Sequence, residues 1–201
     1  MRKLLAILCL AAACSPALAA KGFTVKAVHV DEKGIVHVVI DDGNERTIRP
    51  EKWQAGGGFR QSKVAPDGRT VGWLATQMLT PLQAGASYSY AVALELDIWR
   101  DGRVIRRFGP GQEITDWIFL QGGSEVAFRQ APLHGDRDFF CALFDVNTGK
   151  ELAHWALDRR DYVVPDWAKP LLVDALPSPE EISDWFPDAL TPTKSAPQPK
   201  Q

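Results

Sequence analysis

Between Phe23 and Trp155 short apolar runs alternate with polar turn clusters, and the spacing is that of strands. In "FTVKAVHVDEKGIVHVVIDDG", Val28 and Val30 share one parity, as do Val36, Val38 and Ile40. Asp31-Glu32-Lys33-Gly34 separates the two runs, so the stretch predicts a β-hairpin with Gly34 free to take a positive φ. "GNERTIRP" adds a turn and a short strand ended by Pro50, and "EKWQAGGGFRQS" carries a loop at Gly56–Gly58. In "APDGRTVGW", Pro66 presets φ, Asp67 can accept backbone N–H groups ahead of it, and Gly68 suits the left-handed position. "TVGWLA" then predicts a strand, within which Gly72 implies close approach of a neighbour. "TQMLTPLQAGAS" reads as a loop. Tyr88–Trp99 reads as a long strand, Asp101-Gly102 as a hairpin turn and "RVIRRF" as the return strand.

The pattern then restarts. With Gly68 aligned on Gly123, Arg69 meets Ser124, Val71 meets Val126, Gly72 meets Ala127 and Trp73 meets Phe128. With Gly102 aligned on Gly149, Arg103 meets Lys150, Ile105 meets Leu152 and Phe108 meets Trp155. The span Gly68–Gly102 exceeds Gly123–Gly149 by eight residues, an insertion placed in the loop Thr76–Ser87. Two copies of one four-strand unit account for this, and repeats of this period suggest propeller blades or stacked β-meanders. The expected fold is all-β: antiparallel four-stranded meanders, propeller-blade-like but too few for a closed propeller, with a short C-terminal helix and a disordered tail.

"APDGRTVGW" and "LFDVNTGKELAHW" resemble the repeats of WD-type and Tol-system β-propellers. Pro66, Asp67, Gly68 and Arg69 match the turn before the inner strand, and Leu143, Phe144, Asp145, Thr148, Gly149 and Lys150 match the outer hairpin. The resemblance covers about residues 62–155 and implies β-meander geometry more than any activity. The chain as a whole also looks like exported bacterial proteins of unknown function.

Both ends differ from this middle. Arg2 and Lys3, the apolar run Leu4–Ala13 and the small residues Ala17 and Ala19 form a signal peptide, 1–19, cleaved after Ala19. The alternative is a lipoprotein modified at Cys14, for which "AAAC" is a poor match. The expected location is the periplasm or outside the cell. Residues 20–160 form the β-meander domain. Residues 161–190, rich in Pro and Trp, are expected to pack on it. There Ser178-Pro179-Glu180-Glu181 opens a short helix, Pro179–Trp185, by a capping box, and 191–201 is a polar Pro-rich tail. Cleavage leaves Cys141 as the sole cysteine, so stability rests on packing rather than an internal disulfide. The formal net charge is −2 and becomes more negative once Arg2 and Lys3 leave, which argues against nucleic acid as a partner. No later stretch is long and apolar enough to span a membrane.

Candidate chemistry is sparse. His29 and His37 can face each other across the first hairpin, but no third ligand follows, so a pair of strand-surface histidines is expected rather than a metal site. His134-Gly135-Asp136-Arg137-Asp138 resembles an acidic metal loop and reads better as a turn. Cys141, in "FFCALF", reads as a buried small hydrophobe. No GxSxG, HExxH, P-loop or GxGxxG occurs, and no cofactor is implied. A hydrolase would need three or more carboxylates brought together by the fold. Seven tryptophans are the other resource. Trp73, Trp117 and Trp155 occupy repeat positions that pack between sheets. Trp53, Trp167 and Trp185 lie outside the repeats and, with Tyr88 and Tyr90 beside the insertion, are the candidate contacts to a ligand or partner. The expected function is an exported, non-enzymatic binding or interaction module that meets a protein partner in the cell envelope through loops on a β scaffold. The alternatives are cell-wall glycan binding through exposed tryptophans, and a hydrolase with a composite acidic site.

Overall fold

A computed structural model describes residues 23–50, 57–80, 88–132, 140–156 and 163–173. The fold is all-β, as expected: the described residues form three antiparallel sheets, and none of these is closed into a barrel. Sheet I holds β1 (Val25–Val30), β2 (Val36–Ile40) and β3 (Glu45–Ile48), in that spatial order. Sheet II holds β4 (Phe59–Val64), β5 (Thr70–Leu79), β6 (Tyr90–Arg100) and β7 (Arg103–Phe108). Sheet III holds β8 (Glu113–Leu120), β9 (Glu125–Ala131), β10 (Phe140–Asp145) and β11 (Glu151–Ala156). Among the described residues every strand pairs only with its neighbours in sequence, and the two segments aligned in the sequence fall on sheets II and III.

The sheets stack in chain order because each alternates its apolar residues toward its neighbours. Val25, Val36, Val38 and Ile40 of sheet I meet Phe59, Val71, Trp73, Ala75 and Trp99 of sheet II in one core. The opposite parity of sheet II, including Leu74, Leu96 and Ile98, meets Ile114, Trp117, Val126, Phe128 and Ala142 of sheet III in a second. Burial of side chains of this size stabilises by roughly 1.5–3 kcal/mol each. Gly72 is the place of closest approach: a Cβ there would lie 2.6 Å from Trp117 Cη2 and 2.9 Å from Cζ3, so the indole packs directly on the β5 backbone. Ala127, the counterpart of Gly72, faces a third core in which Ala168, Leu171 and Leu172 cover Cys141 and Leu143. Residues 163–173, with a single 3₁₀ turn at Lys169–Leu171, thus lie on the outer face of sheet III, and Arg129 Nη1 donates to Leu171 O at 3.0 Å. The helix expected at Pro179–Trp185, the tail and the leader lie outside the described residues.

The insertion differs from its expected form. Thr76–Leu79 is not loop but the end of β5, paired with Ala93–Tyr90 of β6 across a bulge. β5 and β6 have 10 and 11 residues against 7 and 6 in β9 and β10, so the extra length lies mainly in the strands. Thr76 Oγ1 donates to Gly58 O and accepts from Gly58 N, both at 2.8 Å, which satisfies a polar residue in a buried strand.

Candidate functional site

Five turns lie at one end of the stack: β2–β3, β4–β5, β6–β7, β8–β9 and β10–β11. Aspartates organise three of them directly: Asp42 accepts from Asn44 N and Nδ2 in the β2–β3 turn, and Asp67 and Asp145 act in sheets II and III. Asp67 Oδ1 accepts from the N–H groups of Arg69 and Thr70, and Oδ2 accepts from Thr70 Oγ1. Burial opposes its ionised form, but these hydrogen bonds and the nearby Arg100 outweigh it and hold the carboxyl below the usual range. Asp145 Oδ1 likewise accepts from Thr148 N and Oγ1, and the Thr148 backbone bond is the main cause of its lowered pKa. Backbone bonds tie successive turns together: Val25 N to Gly68 O, Asp67 N to Gly122 O, and Val146 N to Ser124 O. Gly123, at φ +102, leaves no room for a Cβ, which would stand 2.7 Å from Ala65 Cβ. These turns therefore form one fixed surface rather than independent loops.

Two adjoining hollows open on it. One, of about 490 Å³, is lined by Arg100, Asp101, Arg103, Val104, Ile105, Arg106 and Asn147. The other, of about 450 Å³, is bounded by Asp67, Arg69, Gln121, Gly122 and Ser124 and shares Arg100, Asp101 and Asn147 with the first. Arg69 Nη2 donates to both carboxylate oxygens of Asp101, at 2.9 and 2.8 Å. Arg100 is held by Thr70 Oγ1 and Asn147 Oδ1, both at 2.8 Å, with Asp67 4.0 Å away. Arg106 crosses from sheet II to sheet III and donates through Nη2 to Asn147 O. Arg103 is exposed and makes no ion pair among the described residues. The positive charge of the first hollow is thus poorly neutralised along β7, and the arrangement suits an anionic group or side chain.

The residues picked out from the sequence do not converge there. Trp167 is half-buried beside the core on the outer face of sheet III. Tyr88, 62 % exposed, stands at the opposite end of sheet II from the turns, and Tyr90 is half-buried on β6 opposite Leu79. Trp53, Trp185 and the His134–Asp138 loop lie outside the described residues. Trp73, Trp99 and Trp117 are buried between sheets, whereas Trp155 packs on the outer core under the C-terminal segment. His29 and His37 do face each other, with rings stacked at 4.8 Å on the outer face of sheet I. Glu45 at 2.5 Å and Asp31 at 3.3 Å raise the His37 pKa, Glu45 most. Cys141 is buried, which pushes its thiol up to about 11.

One acidic pair is buried in sheet II. Asp97 Oδ2 accepts from Trp73 Nε1 at 3.2 Å, while Oδ1 lies 3.5 Å from Arg107 Nε, near enough for an ion pair but not a hydrogen bond. Burial, then the neighbouring Glu95, raises Asp97 to about 7. This cluster holds two carboxylates and a guanidinium, against the three or more carboxylates expected of a composite hydrolytic site. Among the described residues no group of three or more His, Cys, Asp or Glu side chains could hold a metal ion, and no helix there is long and apolar enough to cross a membrane.

The arginines were missed in the sequence although a signal existed: four of the eight residues Arg100–Arg107 are arginine, and Arg69 follows the matching turn of the same sheet. No protein-family model and no curated protein matches the chain.

Proposed function

We propose that the chain is an exported, non-enzymatic binding module that takes a protein partner of the cell envelope on the turn end of its sheets. The observation that carries this is the arginine-lined hollow built from the turns of two different sheets, which are joined there by hydrogen bonds from Arg100 and Arg106 to Asn147. A preorganised, open and charged surface suits recognition, because little conformational freedom is lost on binding. The blade-like resemblance of 62–155 supports a scaffold of this kind. Burial of Trp73, Trp99 and Trp117 removes them from any sugar platform. The test is affinity capture from envelope extract with the full chain and with Arg103→Glu. A stoichiometric partner retained by the first and lost from the second is the expected result. Equal capture by both, or none, would overturn the reading, and a glycan-array signal abolished by Trp167→Ala would replace it.

A further inference from the structure

The two edges of sheet II are treated differently. On β4, Arg60 pairs with Glu113 at 3.5 Å and Lys63 with Asp116 at 3.4 Å, so the cations of that edge are answered by sheet III. On β7 Arg100 and Arg106 donate to the neutral side-chain and backbone oxygens of Asn147, and the Asp145 carboxylate of sheet III feels the charge of Arg106 without forming an ion pair with it among the described residues. Among the described residues Arg106 Nε, like Arg60 Nε on the other edge, is buried without a hydrogen-bond partner, and Arg103 makes no ion pair. β7 is also the outermost strand, so alternate residues turn their N–H and C=O groups away from β6, and no described strand pairs with them. The register slips between Ile98 and Trp99, leaving Ile105 with no residue opposite it. Val104 and Ile105 give the hollow an apolar floor between arginines.

Resting on the binding-module reading, we infer that the partner supplies an extended acidic segment that lies along β7, its carboxylates on Arg103 and Arg106 and its backbone on the free edge of the strand. Six residues of β7 offer roughly 20 Å of edge, enough for a five- or six-residue segment. Asp67 in the adjoining hollow, and Asp101, which lines both hollows and is held by Arg69, disfavour a uniform polyanion, whose charge would continue past the arginines into them.

The probe is a fluorescein-labelled ten-residue peptide of alternating Glu and Thr, read by anisotropy in about 0.15 M salt against its Gln-Thr analogue. The Glu peptide is expected to bind at least about tenfold more tightly than the Gln peptide, and to weaken about tenfold with Arg103→Glu. Arg103 is exposed and unpaired, so this variant should fold; Arg106→Gln, with unfolding checked by circular dichroism, is the second variant. Hydrogen exchange should slow in β7 on binding and not in β3. Equal affinity for both peptides, unchanged affinity in both variants, or protection confined to other strands would overturn the inference. So would tighter binding of inorganic polyphosphate, which identifies a polyanion site. So would no binding by a monomeric protein, which leaves β7 as a charged edge that only keeps copies apart. If the peptide fails while Arg103→Glu still abolishes envelope capture, the strand-like acidic segment is wrong and the binding module stands. If the peptide binds through β7 while capture is unaffected, the reverse holds.

Discussion

In sheets II and III the second strand turns a valine and an aromatic toward the preceding layer, Val71 and Trp73 in one, Val126 and Phe128 in the other. In each, a small residue, Gly72 or Ala127, admits the next layer on the opposite face. Each also has an aspartate-fixed turn at the same end, Asp67 or Asp145. Where the copies agree, the residue has a packing or hydrogen-bonding task. Where they differ, sheet II carries Arg100 and Arg106 at its turn end against Asn147 and Ala153, while Arg103 has a cationic counterpart in Lys150, and it carries the Glu95–Asp97–Arg107 cluster in its middle against Phe144 and His154 at the positions aligned with Asp97 and Arg107. The agreement identifies scaffold, and the difference identifies what sheet II has been given besides.

The comparison breaks most severely at the contact that sets the layer spacing. Trp117→Ala is expected to cost about 3–5 kcal/mol in urea unfolding. Gly72→Ala, which forces the indole away, should cost about 1–3 kcal/mol, whereas Ala127→Gly in the other copy should cost only about 0.5–1 kcal/mol. Equal losses at the two small positions would show that the copies do not use them differently.

The next effect depends on pH and belongs to sheet II alone. The folded state raises the Asp97 pKa from 3.8 to about 7, so it binds a proton more tightly than the unfolded chain. The stability contributed by this group is present in full below about pH 4 and is lost as pH rises through about 7. Tm should therefore fall by several degrees between about pH 4 and about pH 6 through this group, below the range in which the raised His37 pKa adds a decline of its own, and Asp97→Asn should remove that fall. A decline that survives the substitution would place its origin elsewhere.

Smaller still is the difference between the turns. Asp67→Ala and Asp145→Ala should each destabilise by about 1–2 kcal/mol, Asp67 by the larger amount because it also stands beside Arg100 and its turn is tied to Gly122 of sheet III. Thermal scans that reverse the order would indicate that the connection between turns contributes little.

Much of the scaffold was legible because turns have strong local chemistry: Pro66-Asp67-Gly68, Asp101-Gly102 and Asp145-x-x-Thr148-Gly149 state their conformations without reference to anything distant. Thr76 and Gln77 were misread as loop because their polarity is answered from outside, by Gly58 in the case of Thr76. Asp97 and Glu95 alternate with apolar residues as on a half-solvated strand, yet sheet II is the middle layer and buries both its faces. The arginine hollow was not legible as a site because it needs Asn147 of another sheet, placed there only by the way the turns of sheets II and III come together.

The strictly nearest-neighbour order of the strands bears on how the chain reaches this structure. Each sheet is a continuous stretch of sequence, so its strands meet by closing short loops, and the entropy lost in closure stays small for a protein built wholly of β-structure. The layers also stack in chain order, so among the described residues sheet I packs only on sheet II, and sheet III on sheet II and residues 163–173. Residues 163–173 have a surface to dock on only after both β10 and β9 are in place. A stack of this kind can grow from whichever sheet forms first, because each further layer needs only its neighbour in sequence to pack on.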